Sequence, residues 1–454
     1  MKELNQAETE TLQGLIAKGI FTHGGERLTY DKNILLDFSL WSHDGTVQAD
    51  VASLMGLISD PTLKDDDKYR KHLTIVVMNL FVAHVIGYVT WVAYSRDKNN
   101  YASKSRYNPL RISHRYLTSV VDRLAEFGFI DHAMGFYDRR TPAKKGKMSK
   151  MRPTRKLREV FKAWTENMVT LSPHAETIIL RGDDGKAVDY ERDTGEVARM
   201  RKNLTQLNEM LAKTDIRLDM TPDELADLNE QRKRHRNVPI RYWRKTMHRI
   251  FTNGSFRQGG RYYRGWWMEI GEGVRQRILI DGEATVEKDY SAIHPTVLYA
   301  RETGQLPPDK PYEVEGHEGD ELVRRVAKKL LLVMINAKRG ESVKSAFVWH
   351  RDRHENFTDE ERAKVAALDL DEIIAKLKKR HKPIAKHFSS NAGVKLQYED
   401  SQIAERVMLT LAKQGIVALP VHDSFLVQAR HEAALVAAME EAFLWKCGVV
   451  PVIK

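Results

Sequence analysis

The stretch that decides the fold runs from Ile278 to Arg301 and reads ILIDGEATVEKDYSAIHPTVLYAR. Its first residues are apolar and Asp281-Gly282 is a turn pair, so a strand is predicted to turn there into a second β-prone run that ends at Asp289. Apolar residues then recur at helical spacing, and Pro295 falls in the first helical turn, where its missing N–H costs little. A carboxylate at such a junction can hold a divalent cation, although capping the helix is the commoner role of an Asp at this place.

A second carboxylate follows in the stretch from Val417 to Val427, which reads VALPVHDSFLV. Two apolar runs flank His422-Asp423-Ser424, a pattern that predicts a β-hairpin with Asp423 at its tip. Two-metal phosphoryl transfer needs hard oxygen ligands around ions about 4 Å apart. Asp289 and Asp423, from separate β elements, are therefore predicted to share two Mg²⁺ ions, with Mn²⁺ as the alternative metal.

The order of the motifs resembles that of family A DNA polymerases and of single-subunit, phage-type RNA polymerases. Asp289-Tyr290-Ser291-Ala292-Ile293 is similar to the catalytic motif of family A, and His422-Asp423 is similar to its third motif. The other matches, in chain order, are Gly259-Gly260-Arg261, the run Arg275-Gln276-Arg277, the fingers-helix pair Arg324 and Lys328, and Gln397. The resemblance covers about residues 250 to 430.

This resemblance implies an α+β fold with several domains: a right-hand palm on an antiparallel sheet, helical fingers and a helical thumb. It implies that Asp289, Asp423 and the backbone carbonyl of Tyr290 bind the metal ions. The fingers candidate is the helix predicted from Glu321 to Asn336. On it Arg324 and Lys328 share one face and would hold the triphosphate, and Lys328 would protonate the departing pyrophosphate. The remaining implied contacts are with nucleic acid: His422 and Gln397 at the primer terminus, and Arg261, Arg275 and Arg277 along template or primer.

Three positions depart from the family pattern. His294 stands where family A has the Glu that excludes a 2′ hydroxyl, and Ser424 replaces the Glu of the third motif, as in the phage-type RNA polymerases. Asn336-Ala337 occupies the place of a Tyr-Gly pair. His294 and Asn336 are therefore the candidate sugar-facing residues, together with Tyr290 at the nucleotide site, and the departures favour ribonucleotides. Arg325 and Lys329 have the spacing of Arg324 and Lys328, so they are the alternative phosphate-binding pair.

The composition suits a protein that binds a polyanion. The 454 residues carry a formal charge of +11, with a pI of about 9.3, which favours nucleic acid as partner. The single cysteine, Cys447, excludes an intrachain disulfide and agrees with a reducing compartment. No signal peptide is visible. The apolar run from Leu73 to Tyr94 is interrupted by polar residues, so a buried helix and strand are predicted rather than a membrane span. These features predict a cytoplasmic protein without a membrane partner.

The region before residue 165 is predicted to resemble a winged helix. A helix capped at Ser113 runs through Glu126, and a strand and a basic loop follow. In that fold a helix enters the major groove and the wing touches the backbone. The expected nucleic-acid contacts are Arg115 and Arg123 on the helix, beside His114 and Ser119, and Lys144 and Lys145 in the loop. A purely structural winged helix is the alternative.

The predicted division is therefore a winged-helix-like region at 1–165, a charged helical thumb-like region at 166–250, and a palm and fingers region at 251–454. The predicted function is that of a compact template-directed nucleotidyltransferase acting on a DNA template with nucleoside triphosphates. An RNA polymerase or primase in the replication of a phage or plasmid-like element is favoured, with replication proteins of that element as further partners. The alternatives are a family A type DNA polymerase, a non-catalytic winged-helix replication initiator on a degenerate polymerase scaffold, and a nuclease.

Overall fold

The computed structural model describes residues 33–87, 90–101, 105–137, 146–172, 174–234, 239–354 and 357–454. The chain divides into two compact units. Unit 1 comprises Met1–Glu176 and Thr221–Trp243, and unit 2 comprises Thr177–Met220 and Arg244–Lys454. The region predicted to be thumb-like, residues 166–250, thus contributes to both units. Lys144 and Lys145 lie outside the described residues.

The helices of unit 1 are α1 (Gly45–Ile58), α2 (Asp66–Ile86), α3 (His114–Glu126), α4 (Arg155–Val160) and, after an excursion through unit 2, α6 (Pro222–Arg234). Those of unit 2 are α5 (Gly195–Lys213), α7 (Glu272–Arg275), α8 (Ile293–Thr303), α9 (Glu321–Asn336), α10 (Val343–His354), α11 (Asp359–Ala366), α12 (Leu370–Arg380), α13 (Gly393–Ala412) and α14 (Glu432–Cys447). Short 3₁₀ helices occur at Lys98–Asn100, Phe161–Ala163, Glu166–Met168, Trp266–Glu269, Lys382–His387 and Ala429–His431.

The strands of unit 1 are β1 (Asn33–Leu35), β2 (Leu40–Trp41), β3 (Trp91–Tyr94), β4 (Ile130–Ala133), β5 (Phe136–Tyr137), β6 (Gly146–Lys147), β7 (Ser149–Pro153) and β8 (Thr170–Leu171). Those of unit 2 are β9 (Ile178–Leu180), β10 (Ile216–Leu218), β11 (His248–Thr252), β12 (Ser255–Tyr263), β13 (Ile278–Ile280), β14 (Glu283–Asp289), β15 (Leu419–Val421) and β16 (Ser424–Gln428). The mixed helix and sheet content agrees with the predicted α+β class.

Unit 1 is built around α2, which is buried along most of its length. Asp65 caps the helix by accepting a hydrogen bond from the Lys68 backbone N–H at 2.9 Å, and Gly87 ends it. The predicted buried helix and strand in the run from Leu73 are therefore confirmed, and no helix in the described ranges is long and apolar enough to cross a membrane. The helices α1 and α3 pack on α2, beside a four-stranded sheet in the order β1-β3-β7-β4.

Unit 2 contains a five-stranded sheet in the order β10-β13-β14-β16-β15, in which every neighbouring pair is antiparallel. The two strands predicted in the stretch from Ile278 to Arg301 are β13 and β14, joined by the turn at Asp281-Gly282, and the predicted helix is α8. A second sheet, β12-β11-β9, packs through β12 against α13. The fully buried Arg249 joins these elements, because its guanidinium donates to the Gly260 carbonyl at 2.8 Å and to the Ser401 hydroxyl at 2.9 Å.

Gly260 explains the Gly-Gly-Arg signal in the sequence. Its φ is +84°, and a Cβ at this position would lie 2.7 Å from the Phe251 ring and 3.1 Å from the Ser401 hydroxyl. A side chain would therefore separate β12 from both β11 and α13. The close approach of this backbone places the next residue, Arg261, directly beside α13.

Candidate active site

The two predicted metal-binding carboxylates lie side by side at one end of the five-stranded sheet. Asp289 is the last residue of β14 and is paired in register with Ser424, the first residue of β16. Asp423 precedes Ser424 in the two-residue turn between β15 and β16, and its carbonyl accepts a hydrogen bond from the Tyr290 N–H at 3.4 Å. The antiparallel pairing of β14 with β16 thus brings together residues that are far apart in the sequence.

The electrostatics of this pair suit a cation. Partial removal from water and, secondly, the negative charge of Asp423 raise the pKa of Asp289 to about 7, while Lys328 acts in the opposite direction. A raised carboxylate pKa marks negative charge that the surrounding protein compensates incompletely, and a divalent cation would relieve it. The donor atoms therefore fit Mg²⁺ or Mn²⁺. Within the described ranges no group of three or more His, Cys, Asp or Glu side chains could hold an ion together, so backbone, water or substrate oxygens would complete the coordination.

The backbone around Asp289 is fixed from both sides. Opposite β16, the Asp289 N–H donates to the Lys454 carbonyl at 3.1 Å, and the Lys454 N–H donates to the Asp289 carbonyl at 2.9 Å. Two residues near the carboxylates, Ala292 and His422, adopt left-handed backbone conformations with φ of +52° and +60°. Such conformations are costly for residues other than glycine and persist where the surrounding structure enforces them.

A third acidic residue, Glu287, lies on β14 two positions before Asp289 and therefore on the same face of the strand. Its carboxylate accepts two hydrogen bonds from Arg275, each 2.9 Å long, and one from the Ser424 hydroxyl at 2.6 Å. Arg275 was expected to contact template or primer, but its guanidinium is held by the Glu287 carboxylate. The sequence offered one signal for Glu287, its even spacing from Asp289 in a strand.

The predicted nucleic-acid residue Arg261 belongs to a second network. Its guanidinium forms an ion pair with Asp400 of α13, whose side chain is 1% exposed. The His294 Nε2 lies 3.1 Å from the same carboxylate and 3.3 Å from the Arg261 guanidinium. Asp400 therefore holds both residues in place, and sequence reasoning missed it because nothing near Gln397 marks a helical Asp as buried.

The fingers-helix candidate is α9, whose bounds are those predicted. Arg324 and Lys328 are exposed on one face, where Arg324 forms an exposed ion pair with Glu321 at 2.6 Å. Lys328 is close enough to Asp289 to lower the pKa of that carboxyl. Arg325 pairs with Glu361 at 2.7 Å and lies over the Phe357 ring, while Lys329 is half-buried and has a partner. The exposure of Arg324 and the nearness of Lys328 to Asp289 favour this pair over the alternative one.

Asn336, which occupies the position of the tyrosine in the Tyr-Gly pair of the polymerase families, packs against the start of α13. Its amide donates to the Leu332 carbonyl at 2.7 Å, and a Cβ at Gly393 would lie 1.6 Å from the Asn336 Oδ1. Asn336 and Gly393 thus mark a close contact between α9 and α13. This contact gives Asn336 a structural role, whatever it does towards a nucleotide.

The other predicted site residues differ in their exposure. The Tyr290 side chain is buried, with its hydroxyl donating to the Met439 carbonyl at 2.6 Å, so it packs in the core and does not face a nucleotide. His422 keeps an exposed surface, but the surrounding protein removes part of its imidazole from water, and this desolvation, followed by the charge of Arg261, lowers the pKa of the imidazole. Arg277 donates to the Asp219 carbonyl, and Gln397 is half-buried on α13.

Tyr312, in the loop before α9, also belongs to the site, although the sequence gave no signal beyond its place in a proline-rich loop. Burial, followed by the charges of Asp423 and Asp289, raises the pKa of Tyr312 to about 12, and Arg324 acts in the opposite direction. The phenol therefore stands within electrostatic reach of both carboxylates and of the cationic face of α9. A neutral hydroxyl at this place can donate a hydrogen bond to a phosphate or a sugar.

Helix α3 of unit 1 was expected to contact nucleic acid, but several of its polar side chains form hydrogen bonds with other residues of unit 1. Arg123 of α3 donates to the Ile58 and Ser59 carbonyls, each at 3.2 Å, and Ser119 donates to Asp60 at 2.7 Å. Arg115, which is exposed, is 3.4 Å from the Thr62 carbonyl. This arrangement differs from the expectation that these residues point away from the unit, because the segment after α1 covers that face of α3.

No family model and no curated protein sequence matches the chain. Among solved structures, it is similar to the POL domain of Pol1 from M. smegmatis, solved in complex with DNA primer-template and dNTP, with a TM-score of 0.27 and 14% sequence identity. The likeness covers 57% of this chain and 50% of that one, so the chain spans about half the length of this neighbour. A likeness of this degree does not establish a shared fold or function.

Proposed function

We propose that unit 2 is a compact template-directed nucleotidyltransferase that joins nucleotides by two-metal phosphoryl transfer. The observation that carries the proposal is the pair formed by Asp289, at the end of β14, and Asp423, in the turn before the antiparallel neighbour β16, with the cationic face of α9 near it. Paired carboxylates suit Mg²⁺, and a helix with two exposed cations four residues apart suits a triphosphate. The polymerase resemblance of the sequence motifs supports the same assignment.

In this proposal the protein acts mainly by positioning charge. Asp289, Asp423 and the Tyr290 carbonyl would hold Mg²⁺, which when bound would activate the 3′ hydroxyl and neutralise the leaving pyrophosphate. Arg324 and Lys328 bind the triphosphate, Arg through its planar fork and Lys as a point charge that can also donate a proton to the pyrophosphate. His422 stands beside Asp423, where it can contact the primer terminus.

At the two positions where family A polymerases have a Glu and a Tyr near the nucleotide sugar, this chain has His294 and Asn336. His294 is buried and held by Asp400 and Arg261, and Asn336 contacts Gly393. Without a Glu to exclude the 2′ hydroxyl, ribonucleotides are proposed as the substrates. The use of a DNA template, a primase-like role and a place in the replication of a phage or plasmid-like element rest on the resemblance alone.

Incorporation of labelled nucleotide on a single-stranded DNA template tests the proposal, with rNTPs and dNTPs in separate lanes, each with and without primer. Primer-free product from rNTPs identifies a primase, and primer-dependent product from dNTPs identifies the DNA polymerase alternative. Release of nucleotides from labelled template without added triphosphate identifies the nuclease alternative. Template binding without product in any lane would overturn the enzyme proposal in favour of the initiator.

A further inference from the structure

A groove in unit 2 runs between α13 and α14, on a face of α13 different from the one that carries Asp400. Its volume is about 850 Å³, and its lining includes Gln402, Arg406, Leu409, Lys413, Ala438 and Trp445. On α13 these positions recur at intervals of three and four residues, so they form one continuous helix face. Small residues on α14 leave the space open. We name this feature the α13–α14 groove.

One wall of the groove presents an exposed indole beside two cations. Trp445 is 53% exposed, although tryptophan usually buries most of its surface in a monomeric protein. The Arg406 guanidinium lies 4.7 Å from the centre of its ring, and the Lys446 ammonium lies 5.9 Å from it. An exposed aromatic face beside guanidinium and ammonium groups is the arrangement on which unpaired bases stack.

The charge along the groove is also positive. Arg199, Arg406 and Lys413 line it, together with Glu405 and Glu441. Glu441 pairs with Arg406, and Glu405 is held by the fully buried Arg249 at 3.3 Å and by Arg199 at 3.7 Å. Lys413 is exposed. The lining thus carries three cations and two carboxylates, and Arg249 compensates the charge of Glu405 from the buried side, so the groove keeps an excess of positive charge for phosphates.

We propose that the α13–α14 groove binds single-stranded nucleic acid without regard to sequence, with Trp445 as the stacking surface and Arg199, Arg406 and Lys413 as the phosphate contacts. The volume accommodates a short run of nucleotides. From Asp400 to Lys413 helix α13 rises about 20 Å, so a strand in the groove would follow the helix that also carries a residue of the candidate active site. That this strand is the template or the product rests on the proposed function, whereas the binding itself does not.

The test is fluorescence anisotropy of a labelled oligodeoxythymidylate of about 20 nucleotides, longer than a single binding site of this kind, with the full chain. Trp445→Ala is expected to weaken binding about tenfold, because stacking of one base on an aromatic side chain is worth about 1–3 kcal/mol. The matched control is Trp349→Ala, since Trp349 is 48% exposed on α10. Its affinity is expected to equal that of the wild type.

Two further variants keep the test decisive if Trp445→Ala loses its fold in thermal melts. Trp445→Phe retains a ring and is expected to bind within a few-fold of the wild type. Lys413→Glu is expected to flatten the dependence of affinity on salt, because the log–log slope for a single strand falls by about 0.7 for each phosphate that the protein ceases to neutralise. Photocrosslinking of a 5-iodouracil oligonucleotide should label a peptide that contains Trp445.

Wild-type affinity in both Trp445→Ala and Lys413→Glu, or crosslinks confined to other peptides, would overturn the proposal. An acidic peptide whose binding is weakened by Trp445→Ala, while oligonucleotide affinity is unchanged in that variant, would assign the groove to a protein partner instead. Asp289→Ala separates this proposal from the proposed function, because that variant should lose synthesis and keep the oligonucleotide affinity.

Discussion

At the scale of single residues, Asp289 makes stability depend on pH and on metal. An aspartate in an unfolded chain has a pKa near 3.9, and the pKa of Asp289 in the fold is about 7. Between these values the folded protein binds more protons than the unfolded chain, so this residue lowers the stability of the metal-free protein as pH rises through that window. The repulsion between Asp289 and Asp423 would be relieved by a bound cation.

Asp289→Asn should therefore raise the melting temperature of the metal-free protein at about pH 8 and change it little near pH 4. Adding Mg²⁺ should raise the melting temperature of the wild type at the higher pH and leave that of the variant nearly unchanged. Thermal melts in EDTA and in Mg²⁺ measure both effects. A variant less stable than the metal-free wild type at the higher pH would contradict this account of the carboxylate pair.

Glu287 is a positioning residue, because it connects Arg275 to Ser424 directly beside Asp423. Glu287→Gln should lower the rate of nucleotide incorporation about tenfold and stability by about 1–3 kcal/mol, since Arg275 loses its charged partner. It should also raise the Mg²⁺ concentration needed for half-maximal rate, which a purely structural defect would not do.

Glu283→Gln is the matched control for this prediction. Glu283 lies at the other end of β14, where it forms an exposed ion pair with Arg430. Loss of such a pair is expected to cost little. Equal Mg²⁺ dependence for Glu287→Gln and Glu283→Gln would remove Glu287 from the positioning role.

At the scale of elements, one face of α9 is proposed to bind the nucleotide and another packs within unit 2. Arg324→Ala and Lys328→Ala should each raise the KM for nucleotide about tenfold or more and leave the melting temperature within a degree or two, because both side chains are exposed. Arg325→Ala should lower the melting temperature and leave the KM for nucleotide nearly unchanged, since Arg325 contacts Glu361 and Phe357. Steady-state kinetics together with melts distinguish the two faces, and a kinetic defect confined to Arg325→Ala would reverse the assignment.

The backbone pairing of Asp289 with Lys454 gives a second prediction at this scale. Lys454→Pro removes the N–H that donates to the Asp289 carbonyl at 2.9 Å, whereas Lys454→Ala keeps it. Incorporation should fall about tenfold in the proline variant and clearly less in the alanine variant, because the position of the carboxylate depends on that backbone bond. Equal rates in the two variants would show that the contact does not position Asp289.

Elements were predicted from the sequence better than the contacts between them. The strand, turn and helix around Asp289, and the bounds of α9, follow from local periodicity and turn residues. Arg115 and Arg123 were expected on nucleic acid, but they contact backbone carbonyls at residues 58–62, in a segment far away in the sequence. Local spacing carries no information about such partners, which is also why Asp400 was missed.

At the scale of the whole molecule, the charge of +11 is compatible with any polyanion. The proposed active site depends on one place, where Asp289 at the end of β14 lies beside the start of β16 and within electrostatic reach of Lys328 on α9. Antiparallel pairing of Asp289 with Ser424 was not visible in the sequence, because register between distant strands depends on tertiary packing. The motifs that contain Asp289 and Asp423 were visible in the sequence, so this pair of carboxylates was predicted. The residues that hold the neighbouring side chains, Glu287 and Asp400, were not.

The most direct measurement is nucleotide incorporation on a primed and an unprimed single-stranded DNA template by the wild type, Asp289→Asn and Asp423→Asn. The control is Asp281→Asn, at the turn between β13 and β14, where the side chain accepts a hydrogen bond from the Asp215 N–H at 2.9 Å that Asn can still accept. Incorporation should fall at least about 100- to 1,000-fold in both active-site variants and stay near wild-type levels in the control. Wild-type incorporation in either active-site variant, or none in the wild type with template still bound, would contradict the two-metal polymerase.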